Sequence, residues 1–442
     1  MPSLRNRLYL GYILLLLLLV NAVNIADRLV LGIMQEPIKH EFRLSDFQLG
    51  LLGGPVFAVL YSLLSLPIAR FAEWGNRISI IALATALWSG ATALCGFAQS
   101  YAQLLLCRLG VSVGEAGASP PSLSFLSDKF PPQHRGLAIA IYATGGSAGT
   151  LIASFAGSWL AQHYGWRTSF LLFGACGLVL AIVMRLTIGE TRTSFIQMGH
   201  ESLRQALGRL RRKRSLYHIC AAGTFGTFCG TFIVQYMASF LIRVHHFSLT
   251  AASSVVGLSI GVVGMAGVIG CGWLGDRFQT YHPAARIIVG AIAFSATAVF
   301  YTMAFWLPAA PAVTFLLLAG IGQSAYPAIC YTAATAIAPA GTRATTIAIF
   351  TLCVNILGYA FGPPLLGALS DFWASRMLAA HGLSQVDCLS APVSPFCAAA
   401  GAEGLRIALT VAGVLVLGGA FHFWRAASLF SHDLADRAAD PL

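Results

Sequence analysis

Apolar runs of about 20 residues, cut by short polar stretches, follow one another along this chain, and each is long enough to cross the hydrocarbon of a bilayer. They predict helices near 8–35, 47–69, 78–98, 102–126, 137–160 and 168–188, then near 217–241, 250–273, 284–306, 311–337, 344–367 and 404–424. A polar, basic stretch from Gly189 to Ser215 separates the two sets. The first run follows Arg5 and Arg7 as a signal peptide would. It runs on to about Gln35 without a small-residue cleavage site and reads as an uncleaved first span. The predicted fold is an all-α membrane protein: twelve transmembrane helices in two six-helix, pseudo-symmetric bundles. The bundles are 1–188 and 216–442, joined by a basic linker over 189–215. Phe195, Met198, Leu203, Leu207 and Leu210 of the linker fall near helical spacing. They fit either an amphipathic helix on the inner leaflet or a tether made basic by topology.

Composition agrees, with 57% hydrophobic residues, 10% charged residues and a mean hydropathy of +0.75, more apolar surface than a soluble chain can hide. The net charge of +11 would point to nucleic acid in a soluble protein, but no basic stripe with interleaved aromatics is present. With both termini inside, inner segments carry about 19 Lys/Arg and outer loops about six, as the positive-inside rule requires. The absence of an Asn-x-Ser/Thr sequon favours a prokaryotic source, and hence a bacterial inner membrane. Ten cysteines include no CxxC pair, and only Cys388 and Cys397, in a polar outer loop, are placed to form a disulfide. No metal-ligand spacing, nucleophile–base pairing or phosphate loop calls for an enzyme or a cofactor.

Charges inside the spans carry the chemistry. Arg108 and Glu115 lie two helical turns apart in the fourth run, about 10 Å along the axis, too far to neutralise each other. Asp27 and Arg28 on the first run are their best partners. By depth Asp27 is level with Arg108, with Glu115 nearer the cytoplasmic side. Four ionisable groups without net charge predict a proton or ion pathway, since intramembrane charges are functional by default. The alternative is a static buried salt-bridge cluster. Asn24, one turn before Arg28, lines the same cavity or bonds a neighbouring helix.

The second half contributes no charge to its spans 7, 10 and 11. Phe225, Phe228, Phe232 and Tyr236 run at helical spacing, and Gln323, Tyr326, Asn355 and Tyr359 add hydrogen-bonding groups. Phe225, Phe228, Phe232, Gln323, Tyr326, Asn355 and Tyr359 are cavity candidates, with plain packing as the competing reading. A charged N-half and an uncharged aromatic C-half would suit a substrate with one charged head and one apolar tail.

The halves echo each other. PIARFAEWGNR follows the second span and GWLGDRF the eighth, so Glu73 aligns with Asp276 at an offset of about 203 residues. An acid there can hold the cytoplasmic side shut. The expected gate is Glu73, Arg77, Asp128 and Arg135 in the first half, with Asp276 and Arg277 in the second.

Gly272, Leu274, Asp276 and Arg277 form a GxLxDR signature that resembles the cytoplasmic-loop motif of the major facilitator superfamily. The first-half copy departs from it, with Ala69, Glu73 and Trp74 in place of glycine, aspartate and arginine. Within the superfamily, NIADRLVLG (24–32), CRLGVSVGEAGASP (107–120), LSDKFPPQHRG (126–136) and EGLRIAL (403–409) resemble the spinster branch of lysolipid and sphingolipid-phosphate transporters. That resemblance implies proton-linked movement of a lipid-like amphipath by alternating access, with Asp27, Arg28, Arg108 and Glu115 as the polar core. The proton gradient would be the energy source, and the protein would act as a monomer among membrane lipids. A polyspecific drug or organic-anion exporter and a non-transporting receptor or scaffold are the rival readings.

Overall fold

The computed structural model describes residues 4–189, 210, 213–338, 343–384, 388 and 394–439. Most of the linker, and with it the expected amphipathic helix, lies outside the described residues. The rest is helical: α1 (Leu4–Ile33), α2 (Gln35–Phe42), α3 (Asp46–Gly53), α4 (Pro55–Trp74), α5 (Arg77–Cys95), α6 (Tyr101–Glu115), α7 (Ser119–Lys129), α8 (Pro132–Ile152), α9 (Ser158–Tyr164) and α10 (Trp166–Thr187). The second half follows with α11 (Arg214–His245), α12 (Leu249–Gly257), α13 (Gly264–Gln279), α14 (Ala285–Ala304), α15 (Ala309–Ile337), α16 (Arg343–Cys353), α17 (Gly362–Ala379) and α18 (Pro395–Ala439). Among the described residues, 11 helical stretches are long and apolar enough to cross a membrane.

The predicted span over 102–126 is not one helix. It divides into α6 and α7 around Ala116–Ala118. Pro120 and Pro121 have no N–H for the carbonyls of Ala116 and Gly117, so the ladder stops and restarts there. Pro55 interrupts the second span in the same way, between α3 and α4. Three further spans carry π-helical segments, at Ala153–Gly157, Leu258–Val263 and Val354–Ala360. The offset of about 203 residues carries Gly54 to Gly257, and residues 153–157 to 356–360, so the irregularities repeat with the sequence.

The chain forms two compact units: Met1–Leu44, Leu51–Ser194 and Ser248–Gly257, and Ser45–Gly50, Phe195–Phe247 and Leu258–Leu442. Two short segments therefore pack with the half of the sequence to which they do not belong. In the first unit, α5 runs along α10 and α1 along α8. Its core gathers Leu17, Val20, Ile81, Trp88, Val111, Phe125 and Met184. A Cβ on Gly257 would lie 2.6 Å from that of Ser154, which shows how closely α12 meets the π segment after α8. In the second unit, α11 runs along α18. Buried Asp433 caps the start of α11, accepting from the Ser215 amide at 2.7 Å and its hydroxyl at 2.6 Å. Cys388 and Cys397 are joined in a disulfide.

Candidate functional site

The intramembrane charges meet inside the first unit, where α1, α4, α5 and α6 converge. Asp27 and Glu115 are 0% exposed, and Arg108 and Asn24 2%. Arg28 Nε donates to Glu115 Oε2 at 2.5 Å. The other side of its guanidinium lies 4.7 Å from the Phe57 ring centre and 4.8 Å from that of Tyr61, two rings stacked 5.4 Å apart. A delocalised cation lying against aromatic faces gains from their quadrupoles, the more so away from water. Ser112 donates to the Phe57 carbonyl at 2.7 Å and so ties α6 to the helix bearing those rings.

Asp27 and Arg108 are neighbours, as their depths require, yet they form no ion pair here. Arg108 Nη1 reaches the main-chain carbonyl of Asp27 at 3.4 Å, and its Nε has no hydrogen-bond partner. The Asp27 carboxyl instead accepts from Thr92 Oγ1 at 3.2 Å through Oδ2, while Oδ1 has no partner. Glu115 Oε1 and Asn24 Nδ2 also lack hydrogen-bond partners. The break in the fourth span begins directly after Glu115, so the carbonyl end of α6 adds negative potential where Arg28 sits.

Of the residues expected at the cytoplasmic gate, Arg77 and Asp128 pair with each other and Asp276 pairs with a residue outside the set. Arg77, 6% exposed, donates through Nη1 to Asp128 Oδ2 at 2.5 Å and to Ser124 Oγ at 3.1 Å. Arg135 is exposed and takes no part in that pair. In the second unit, Asp276 is held by Arg286, with Nε at 2.8 Å and Nη2 at 2.7 Å from Oδ1. Arg277, the arginine of the signature, is exposed and is not the partner. On a helix, neighbours in sequence face about 100° apart, which leaves Asp276 to a residue of the next helix. The side chain of Glu73 lies outside the described residues.

The uncharged groups of the second half gather around α11. Tyr326 OH and Thr227 Oγ1 are 2.7 Å apart, and Gln323 Nε2 donates to the Gly226 carbonyl at 3.4 Å, leaving Oε1 without a partner. Phe225 stacks on His422 at 5.7 Å. Phe228 is half-buried, and Asn355 and Tyr359 lie half-buried on the π segment after α16. Phe232 has no exposed surface and lies tilted against the Tyr236 ring, 4.5 Å between centres, so it serves packing rather than a cavity.

Sequence reasoning did not single out Thr92, Trp88, Phe57, Tyr61 or Arg286, nor the pair Asp46 and Arg243. Neutral residues inside an apolar run, and a lone charge at a helix end, carry no signal until the helices are packed.

This is a multi-pass helical membrane protein, built as a repeated bundle with a cluster of four charges where α1 and α6 meet: the architecture of a secondary transporter. The chain belongs to the Major Facilitator Superfamily, which it matches over residues 16–363, a family of transporters rather than enzymes. It is Spinster-like within that family. It superimposes on a bacterial homologue of the human lysosomal transporter Spinster, inward-facing and unoccupied, with a TM-score of 0.84 at 30% identity, covering 96% of this chain and 98% of that one. The inward-facing, occupied form of such a homologue gives 0.86 at 29%, covering 98% and 99%. An MFS-type efflux pump of Mycolicibacterium smegmatis is 29% identical over 426 residues, 96% of this chain and 94% of that protein.

Proposed function

We propose that this transporter couples proton movement to the passage of an amphipathic, lipid-like substrate by alternating access. The observation that carries this reading is the state of Asp27: fully buried, one oxygen without a partner, beside an arginine whose Nε is also without one. A carboxyl so placed can take a proton when its surroundings are apolar and release it when a cation approaches. Arg108 and Arg28 stay charged throughout. Glu115, held by Arg28, is the second acid of the pathway. The resemblance to the spinster branch supports a lipid-like substrate class. That class is also supported by the Asp27, Arg28, Arg108 and Glu115 cluster in the first unit, with Phe225, Phe228, Gln323 and Tyr326 as aromatic and amide groups on or against the middle of α11 in the second. A bacterial inner membrane, with both termini cytoplasmic, fits the distribution of Lys and Arg.

The efflux-pump relative favours a second reading, a proton-driven exporter of varied organic compounds. Proteoliposomes with an internal pH-sensitive dye decide between them. Lysophospholipid or sphingosine phosphate should drive proton movement, and Asp27→Asn should abolish it. Movement driven only by a cationic dye supports the exporter. Full coupling in Asp27→Asn refutes the assignment of the proton site.

A further inference from the structure

We infer that Thr92, with Trp88 one turn before it, is a positioning residue that holds the Asp27 carboxyl and tunes its exchange of a proton. This rests on Asp27 being the coupling group and adds two residues of α5 to its machinery.

A threonine in an apolar helix ordinarily turns its hydroxyl back to the carbonyl four residues earlier. Thr85 on the same helix does so, donating to Ile81 O at 2.7 Å, and Thr150, Thr187 and Thr231 do the same elsewhere. Thr92, 0% exposed, departs from this habit and donates across to Asp27 Oδ2. A hydroxyl can serve both states of a carboxyl. It donates to the ionised form. Facing the acid, it can accept the acid's proton and return its own hydrogen to the Trp88 carbonyl. The Trp88 indole can only donate. It is 0% exposed, and its Nε1 has no hydrogen-bond partner. Only the carboxylate would gain from a bond to that donor.

The helix bearing these groups is fixed. A Cβ on Gly114 of α6 would stand 2.5 Å from the Trp88 main-chain nitrogen, and one on Gly174 of α10 would stand 2.5 Å from the Ser89 carbonyl oxygen. α5 is thus wedged on both sides by backbone contact, and Thr92 keeps its place while Asp27 changes state. The other titratable or charged groups near Asp27 are Arg108, Glu115 and Cys107 on α6, Cys95 on α5 and Arg28 on α1. α8 and α10, which also pack on α1, present Gly145, Gly149 and Gly177 to it.

The test is infrared difference titration of the purified full-length protein in lipid, following the protonated-carboxyl band that disappears in Asp27→Asn. It needs no substrate. Thr92→Val should move the midpoint of that band to higher pH by about one unit, because a donor to the carboxylate is lost. Thr92→Ser should restore the wild-type midpoint, and Trp88→Phe should shift it in the same direction as Thr92→Val. Thermal melting of each variant separates folding from titration. A Thr92→Val midpoint equal to wild type overturns the inference, as does a Thr92→Ser midpoint equal to that of Thr92→Val. Should no Asp27-dependent band titrate at all, the coupling reading beneath it fails as well.

Discussion

Arg243 grips Asp46 with both guanidinium nitrogens, Nη1 to Oδ2 and Nη2 to Oδ1, each at 2.9 Å. Ser370 Oγ adds a bond to Oδ2 at 2.7 Å, and Tyr236 OH donates to the Asp46 carbonyl at 2.5 Å. Asp371 caps the helix start, accepting from the amides of Asp46 and Phe47 at 3.0 and 2.8 Å. Asp46 is only 2% exposed. This network holds residues 45–50 in the second unit. Truncating Arg243 to Ala leaves a buried carboxylate without its main cation and should cost on the order of 3–5 kcal/mol. Thermal unfolding in detergent would show it. Adding Asp46→Asn to Arg243→Ala should recover part of the loss, and a double variant no better than the single would refute the account.

The Arg28–Glu115 bond uses Nε, with the guanidinium lying between the carboxylate and two rings. Lysine can supply the charge but neither that donor geometry nor the flat face. Arg28→Lys should therefore lower substrate-driven proton flux about tenfold, a loss of roughly 1.4 kcal/mol in coupling. Wild-type flux in that variant would mean that charge alone suffices.

Outside the spans, Glu41 takes hydrogen bonds from Arg167 Nη1 at 2.6 Å and Trp166 Nε1 at 2.7 Å. The Arg167 bond, opposed by burial and helped by the Trp166 bond and the Arg167 charge, holds the Glu41 carboxyl below its ordinary range. A depressed carboxylate stabilises the fold above its unfolded value, and that contribution is lost as pH falls through the folded one. Melting temperature should drop more steeply below about pH 4.5 in wild type than in Glu41→Gln. The pair is partly exposed, so the difference should stay below about 1 kcal/mol. Parallel curves would contradict the linkage.

Two glycines make a contrast that tests the packing of α1 on α8. A Cβ on Gly149 would run into the carbonyl of Ala22, whereas one on Gly90 would meet nothing within 4 Å. Gly149→Ala should cost about 1–3 kcal/mol of stability through overpacking. Gly90→Ala should be neutral or gain up to about 1 kcal/mol from helix propensity. Equal melting temperatures for the two variants would show that the contact has little energetic weight.

Of the candidate site, the charges were legible, and Arg28 was among the partners named for Glu115, but the groups that hold Asp27 and Arg108 were not. Asp27, Arg28, Arg108 and Glu115 stood out because a charge in an apolar run has no inexpensive explanation. Depth along ideal helices put Asp27 level with Arg108 as the expected pair, and the two are neighbours without forming an ion pair. Depth could not show that the arginine would take the main-chain carbonyl while a threonine took the carboxyl. The arginine of the GxLxDR signature was visible as a motif, but Asp276 turned to Arg286 on the next helix. Phe232 shared the helical spacing of its aromatic neighbours and was nonetheless buried in packing.

The sequence by itself determined the bilayer-spanning architecture, the internal repeat and the family. The first two follow from one-dimensional quantities, the length of apolar runs and the offset between motifs, and the family from the resemblance of the signature at Gly272, Leu274, Asp276 and Arg277. Tertiary structure alone decided the packing of residues 45–50 with the second unit and of 248–257 with the first, and the hydrogen-bond partners of Asp27 and Arg108. Those choices depend on distances of a few ångströms between helices far apart in the chain. Glycine contacts and side-chain rotamers set such distances, and the order of residues along the chain leaves them open.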